Sequence, residues 1–269
     1  MVTDEDWQAS ESFSQELQKR KGVIGALDRF DATFFGIHYK QANVMDPQGR
    51  ILIESSYMAI LDAGIHPQQI RGTNTAVFVA VCFSETEKFL LYDTLNSNGF
   101  NLVGCSRSMM ANRISYSLDL KGPSDTIDTA CSSSVYALDA AFSAIRSGQC
   151  EAAIVCGTNL LLHPYTSINF MRLGVLARDG ICRPFDEHAS GYVRSESICA
   201  MYLQKAKDAK RIYAKVLYSL TNCDGYKPEG ITYPSGQIQE QLLMRFYKDI
   251  NLDPAVVSYV EAHSTGEWD

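Results

Sequence analysis

Apolar positions along the chain alternate between helical and strand-like spacing. Asp46-Pro47 sets a capping carboxylate before a proline suited to a first helical turn, and Ile51, Leu52, Met58 and Leu61 follow at helical intervals until Gly64, predicting a helix. Thr75 to Cys82 (TAVFVAVC) is apolar and β-branched, the pattern of a buried strand, and Ser84 with Glu87 offers a capping box to a helix after it. A second long helix is predicted from about Ser106 to Leu120, stopped by Gly122-Pro123, and a short strand around Ile127 leads to Cys131. From Val135, the residues Leu138, Phe142 and Ile145 repeat at helical intervals up to Gly148, and Ala152 to Cys156 reads as another buried strand. Strand, helix and strand alternate, which predicts an α/β class with a largely buried sheet.

Beyond Cys156 the pattern changes character. Pro164 to Gly191 reads as a loop-rich stretch with no helix singled out, Ser197 to Leu203 as a strand, and the polar run Lys205 to Arg211 as a solvated connector between two units. Ile212 to Leu220 (IYAKVLYSL) predicts a long strand, Gln237 to Lys248 a helix, and Val256 to Val260 a strand running into Glu261-Ala262-His263. The polar, charge-rich Met1 to Lys21 reads as a surface segment or the remnant of a longer N-terminal region, with order expected from about Leu27.

Composition narrows the class without changing this picture. At 269 residues, 46% hydrophobic and 20% charged, the chain has material for one large domain or two small ones. Apolar runs such as Ala152 to Cys156 fall far short of the roughly 20 residues that span a bilayer, so no membrane span is expected. Met1 to Gln8 is acidic and lacks an apolar stretch, so no secretory or transit signal is visible and a cytoplasmic location is expected. A net charge of -7 argues against broad affinity for nucleic acid. Eight cysteines are scattered with no CxxC pair and no zinc spacing, as reduced thiols would be. All but Cys131 read as small buried hydrophobes.

Chemistry concentrates in Asp128-Thr129-Ala130-Cys131-Ser132-Ser133-Ser134, a cysteine among small residues between a predicted strand and a predicted helix. Small neighbours allow a tight turn and substrate access. The positive end of the helix dipole favours thiolate over thiol, which prepares a nucleophile. A buried structural cysteine beside a serine-rich cap fits the same residues, and the local sequence does not choose between them. His263 follows an apolar strand and precedes Ser264-Thr265-Gly266, where a loop could present a catalytic group. Taken alone it is a weak signal, and His38, His66, His163 and His188 read as surface or loop residues.

The ordered set of motifs is far more specific than any member. Phe30-Asp31-Ala32-Thr33-Phe34-Phe35-Gly36, Met45-Asp46-Pro47-Gln48 with Arg50, Asp128 to Ser134, Arg183-Pro184-Phe185-Asp186, Gly191-Tyr192 with Arg194-Ser195-Glu196, Thr221-Asn222 with Asp224-Gly225, Pro234-Ser235 and Glu261-Ala262-His263 stand in this order. From about Leu27 to Gly266 the chain thereby resembles the β-ketoacyl synthase (condensing) domain, and Met109 to Arg113 with Gly148-Gln149-Cys150 resemble its animal fatty acid synthase branch most.

This resemblance implies a thiolase-like fold, layered α/β with mixed sheets. Residues 1–206 would be the N-terminal part of the domain and 207–269 the start of its C-terminal half. It implies acyl transfer from the phosphopantetheine arm of an acyl carrier protein to Cys131, then condensation with a malonyl thioester that loses carbon dioxide. His263 would match the first of two catalytic histidines and donate to the developing oxyanion, and Thr265 would contact the pantetheine arm. No directly bound cofactor or metal is implied, and a homodimer is. Charged residues in the other motifs are expected to be structural.

Several positions depart from the family pattern. The second catalytic histidine, the lysine before it and the Gly-Phe pocket gate are expected beyond residue 269, and the first strand of the domain before Met1. Ser264 stands where glycine is usual, Glu267 where a second threonine is, Ser197 after Arg-Ser-Glu where glycine is usual, and Cys156 where glycine is common. If Ser264 must adopt positive φ, it is strained. An unstable or aggregating product is expected. The alternatives are a non-catalytic interaction or dimerisation module, a polyketide ketosynthase and, more weakly, a cysteine hydrolase using Cys131 and His263, for which no orienting Asn or Asp is evident.

Overall fold

The computed structural model describes residues 17–92 and 98–266, so the predictions for 1–16 and for Glu267-Trp268-Asp269 lie outside the described residues. The described residues divide into two compact units, a larger one within 26–159 and 198–258 and a smaller one of 17–25, 160–197 and 259–266.

The larger unit is built on a sheet in the order β2-β1-β3-β4, with β1 Thr75–Ala80, β2 Ser124–Ile127, β3 Ala152–Asn159 and β4 Ser197–Gln204. β1 runs parallel to both neighbours, Val77 opposite Ser124 and Thr75 opposite Ala152. Every residue of β1 is buried, as expected of a strand covered on both faces. Side-chain alternation then sorts its residues between two layers. Ala76, Phe78 and Ala80, with Ala153 and Val155 of β3, pack on Ala137, Ala141 and Ala144 of a long helix. Val77, Val79 and Val81, with Ile154 and Cys156, pack on Leu52, Ile53, Met110 and Ile114 from two helices on the other face.

Among the described residues the α-helices, in chain order, are α1 Tyr39–Ala42, α2 Pro47–Asp62, α3 Glu85–Tyr92, α4 Gly99–Cys105, α5 Ser108–Leu118, α6 Ser133–Ser147, α7 Pro164–Arg172 and α8 Gly236–Ile250. α2 begins as predicted, with the Asp46 carboxylate accepting the Gln48 N–H at 2.8 Å. α6 ends at Gly148 with φ +78, where a left-handed residue costs glycine nothing. Ser84 caps α3 by accepting the Glu87 N–H at 3.1 Å.

Three expectations are corrected. Ile212 to Leu220 and Val256 to Val260 form no strand, because no described segment pairs with them and a ladder needs a partner. The supposed loop from Pro164 contains α7, whose sequence signal is weak. A histidine, His163, caps it by accepting the Tyr165 N–H at 3.3 Å, and Ile168 is its one buried residue. Seven cysteines do not share one setting. Cys105, Cys150 and Cys156 are buried and Cys82 half-buried, but Cys182, Cys199 and Cys223 are exposed. Burial pushes the Cys105 thiol up to about 11 and that of Cys156 up to about 12, which keeps both protonated.

Within the smaller unit, Glu196 is buried and accepts the N–H groups of Ile24 (2.9 Å) and Leu161 (3.2 Å). Gly191, at φ +109, would drive any Cβ to 2.4 Å from the Val175 carbonyl, so only glycine fits there. Its N–H donates to the Gly266 carbonyl at 2.9 Å, tying the segment that carries His263 to this unit. No helix among the described residues is long and apolar enough to cross a membrane.

Candidate active site

Parallel pairing brings the carboxyl ends of β1 and β2 side by side, since Ala80 lies opposite Ile127 and the Val81 N–H donates to the Ile127 carbonyl at 3.2 Å. Open α/β sheets present ligand sites at such ends. The chain leaving β2 turns sharply through Asp128-Thr129-Ala130 and enters α6, with Cys131 exposed at the junction, two residues before the first helical residue. The readings left open by the local sequence are thereby separated: this thiol is accessible and not a buried structural one.

Hydrogen bonds hold the turn. Ala130 is left-handed at φ +54, an unfavourable conformation for a residue with a Cβ. Its carbonyl accepts the Ser133 hydroxyl (2.6 Å), the Ser133 N–H (3.1 Å) and the Cys82 thiol (3.2 Å). The same Ser133 hydroxyl accepts the Thr129 N–H at 2.8 Å. The Asp128 carboxylate accepts the Ala130 N–H at 3.1 Å and pairs with Arg107 at 2.7 Å. Although burial pulls the Asp128 carboxyl upward, the Ala130 N–H and Arg107 help to hold it below the usual carboxylate range. Both side chains of the Arg107 pair are largely exposed, so it orients the loop more than it stabilises the fold.

Cys131 belongs to the larger unit, whereas His263 and Thr265 belong to the smaller, His263 exposed and Thr265 half-buried. Ser264 is not among the residues with positive φ; Gly266, at φ +66, takes that conformation. The condition for strain at Ser264, a positive φ, is therefore not met. His38, His66 and His163 each accept a backbone N–H two residues ahead through Nδ1, at 3.2 to 3.3 Å, as ordinary capping groups. Cys82 is half-buried and not a core residue, and its thiol touches the turn beside Cys131. Its position at the end of the strand beside the one that leads to Cys131 is the available signal.

The chain has a layered α/β, thiolase-like fold that offers a thiol from a tight strand-to-helix turn. The family description Beta-ketoacyl synthase, N-terminal domain, matches residues 2–209, and the corresponding C-terminal domain matches residues 213–267. The chain belongs to the β-ketoacyl synthase family of condensing acyltransferases. It is 48% identical over 268 residues to the fatty acid synthase of the goose Anser anser anser, covering 99% of this chain and 75% of that sequence. A highly reducing polyketide synthase of Glarea lozoyensis is 41% identical over 91% of this chain, which spans 10% of that much longer protein. Among solved structures, the ketosynthase from module 6 of the bacillaene synthase of Bacillus subtilis superposes with a TM-score of 0.85 at 32% identity, over 99% of this chain and 46% of that one.

Proposed function

We propose that the chain carries the acyl-accepting and condensing chemistry of a fatty acid synthase, with residues 1–206 and 207–269 as the N- and C-terminal parts of one domain. Cys131 attacks an acyl thioester on the phosphopantetheine arm of an acyl carrier protein. The sulfur–acyl bond forms as the pantetheine thiol leaves. A malonyl thioester then loses carbon dioxide, and the resulting carbanion attacks acyl-Cys131, releasing the thiolate and a β-ketoacyl thioester. His263 donates to the thioester oxygen as negative charge develops there, and Thr265 steadies the pantetheine arm. Assembly as a homodimer belongs to this reading and rests on the family alone; sedimentation at graded concentrations tests it.

The exposed thiol on its hydrogen-bonded turn is the observation that carries the proposal. Incubation with an acyl N-acetylcysteamine thioester followed by peptide mass mapping is expected to find the acyl group on Cys131 and on no other cysteine. Absence of acylation in folded protein would favour a non-catalytic module. Rapid release of free acid would favour a hydrolase.

A further inference from the structure

The turn that presents Cys131 contains a non-glycine residue in a left-handed conformation, Ala130 at φ +54. Left-handed backbone is unfavourable for an L-residue, so something must hold it. The neighbouring serines divide the work unequally. Ser132 is exposed and its hydroxyl bonds back to Thr129, to the carbonyl at 2.8 Å and Oγ1 at 2.9 Å. Ser133 is 4% exposed and faces inward beneath the turn.

A hydroxyl has one hydrogen to give and lone pairs to receive. Ser133 Oγ uses both across the strained residue. It donates to the Ala130 carbonyl at 2.6 Å and accepts the Thr129 N–H at 2.8 Å, so the peptide groups before Thr129 and after Ala130 are pinned to one buried atom. The Cys82 thiol meets the same carbonyl at 3.2 Å as a weaker donor, and lies 3.5 Å from Ser133 Oγ. Alanine or valine at 133 could fill the space but could do neither job.

We propose that Ser133 is a positioning residue for Cys131: its buried hydroxyl clamps Ala130 in the left-handed conformation and so fixes where the neighbouring sulfur sits. This rests on the acyl-accepting reading of Cys131. It adds a residue that never meets substrate yet sets the rate at which the sulfur reaches it. The clamp works through Ala130, so glycine at 130, which adopts positive φ freely, makes it dispensable.

The test follows the rate of Cys131 acylation by an acyl N-acetylcysteamine thioester in wild type, Ser133→Ala and the double variant Ser133→Ala/Ala130→Gly. Iodoacetamide labelling of the other cysteines is mapped in parallel. Exposed Cys182, Cys199 and Cys223 report general thiol reactivity, and buried Cys105, Cys150 and Cys156 report unfolding. Misplacement of a reacting group by about 1 Å can slow a reaction on the order of a hundredfold. Ser133→Ala is expected to acylate at least tenfold more slowly while the exposed thiols label at wild-type rates and the buried ones stay protected. The double variant is expected to regain most of the loss. Unchanged acylation in Ser133→Ala overturns the clamp, as does a double variant that remains slow. If Ser133→Ala exposes the buried thiols, the double variant decides: restored protection and acylation support the clamp, and continued labelling assigns Ser133 to the fold and overturns it. Failure of wild type to acylate at all refutes the acyl-accepting reading instead.

Discussion

Asp46 is fully buried and has to be solvated by the protein itself. Burial pushes its carboxyl above the ordinary value, while Ser84 (2.7 Å) and the Gln48 N–H (2.8 Å) pull it back. A raised folded pKa means that the folded state holds the proton more tightly than the unfolded chain. The associated stability is present at low pH and is lost as pH rises through the folded pKa. Asn at 46 would donate to Ser84, whose hydrogen is then free for the Cys105 carbonyl at 3.1 Å. Asp46→Asn is therefore expected to fold, and its urea midpoint should gain on wild type as pH rises from about 4 to 7. Asp46→Ala loses the α2 cap and should cost about 1–2 kcal/mol. For His263, the proposed role separates two half-reactions. His263→Ala should still acylate Cys131 at near wild-type rate, whereas malonyl decarboxylation should fall on the order of a hundredfold, as loss of one oxyanion donor does. Equal losses in both assays would refute that division.

Elements that carry their own punctuation were legible from the sequence. α2 was bracketed by Asp46-Pro47 and Gly64, α6 ended on Gly148, and β1 appeared as an unbroken apolar run because both of its faces are covered. Segment 212–220 misled because the same β-branched pattern describes a strand's propensity and not its pairing, which depends on a neighbour distant in the sequence. The site was half legible. Cys131 could be singled out, but the clamp could not, since Ser133 is one of three adjacent serines and only backbone geometry separates its role from that of Ser132. Close packing of whole elements was likewise hidden. In α4, a Cβ on Gly104 would sit 2.4 Å from the Val44 carbonyl, and the Gly104 carbonyl already accepts the Asp46 N–H at 2.9 Å. Gly99, at the start of the same helix, meets nothing within 4 Å. Gly104→Ala should cost about 1–3 kcal/mol, whereas Gly99→Ala should be neutral or gain up to about 1 kcal/mol. Thermal melts of the two variants check the contrast, and similar shifts in both would refute it.

At the scale of the whole molecule, apolar side chains left open to water decide how the isolated chain behaves. In the larger unit, Tyr218 meets Phe246 of α8 at 5.4 Å between ring centres, and the Asn222 side chain donates to the Ile238 carbonyl at 3.3 Å, so segment 212–222 lies against that helix. Around this contact Leu217 is 66% exposed, Leu243 57% and Met244 67%. Large apolar side chains this exposed on the segment and on the helix favour association. The chain is expected to bind anilinonaphthalene sulfonate under native conditions and to self-associate as its concentration rises. Replacing Leu217 and Leu243 by Lys should weaken both effects with little loss of stability, since neither side chain contributes to the buried core and such surface changes stay within about 0.5 kcal/mol each. Light scattering and dye titration of the two proteins make the comparison. A wild-type chain that stays monomeric and dye-free at every concentration would show that this surface carries no driving force for association.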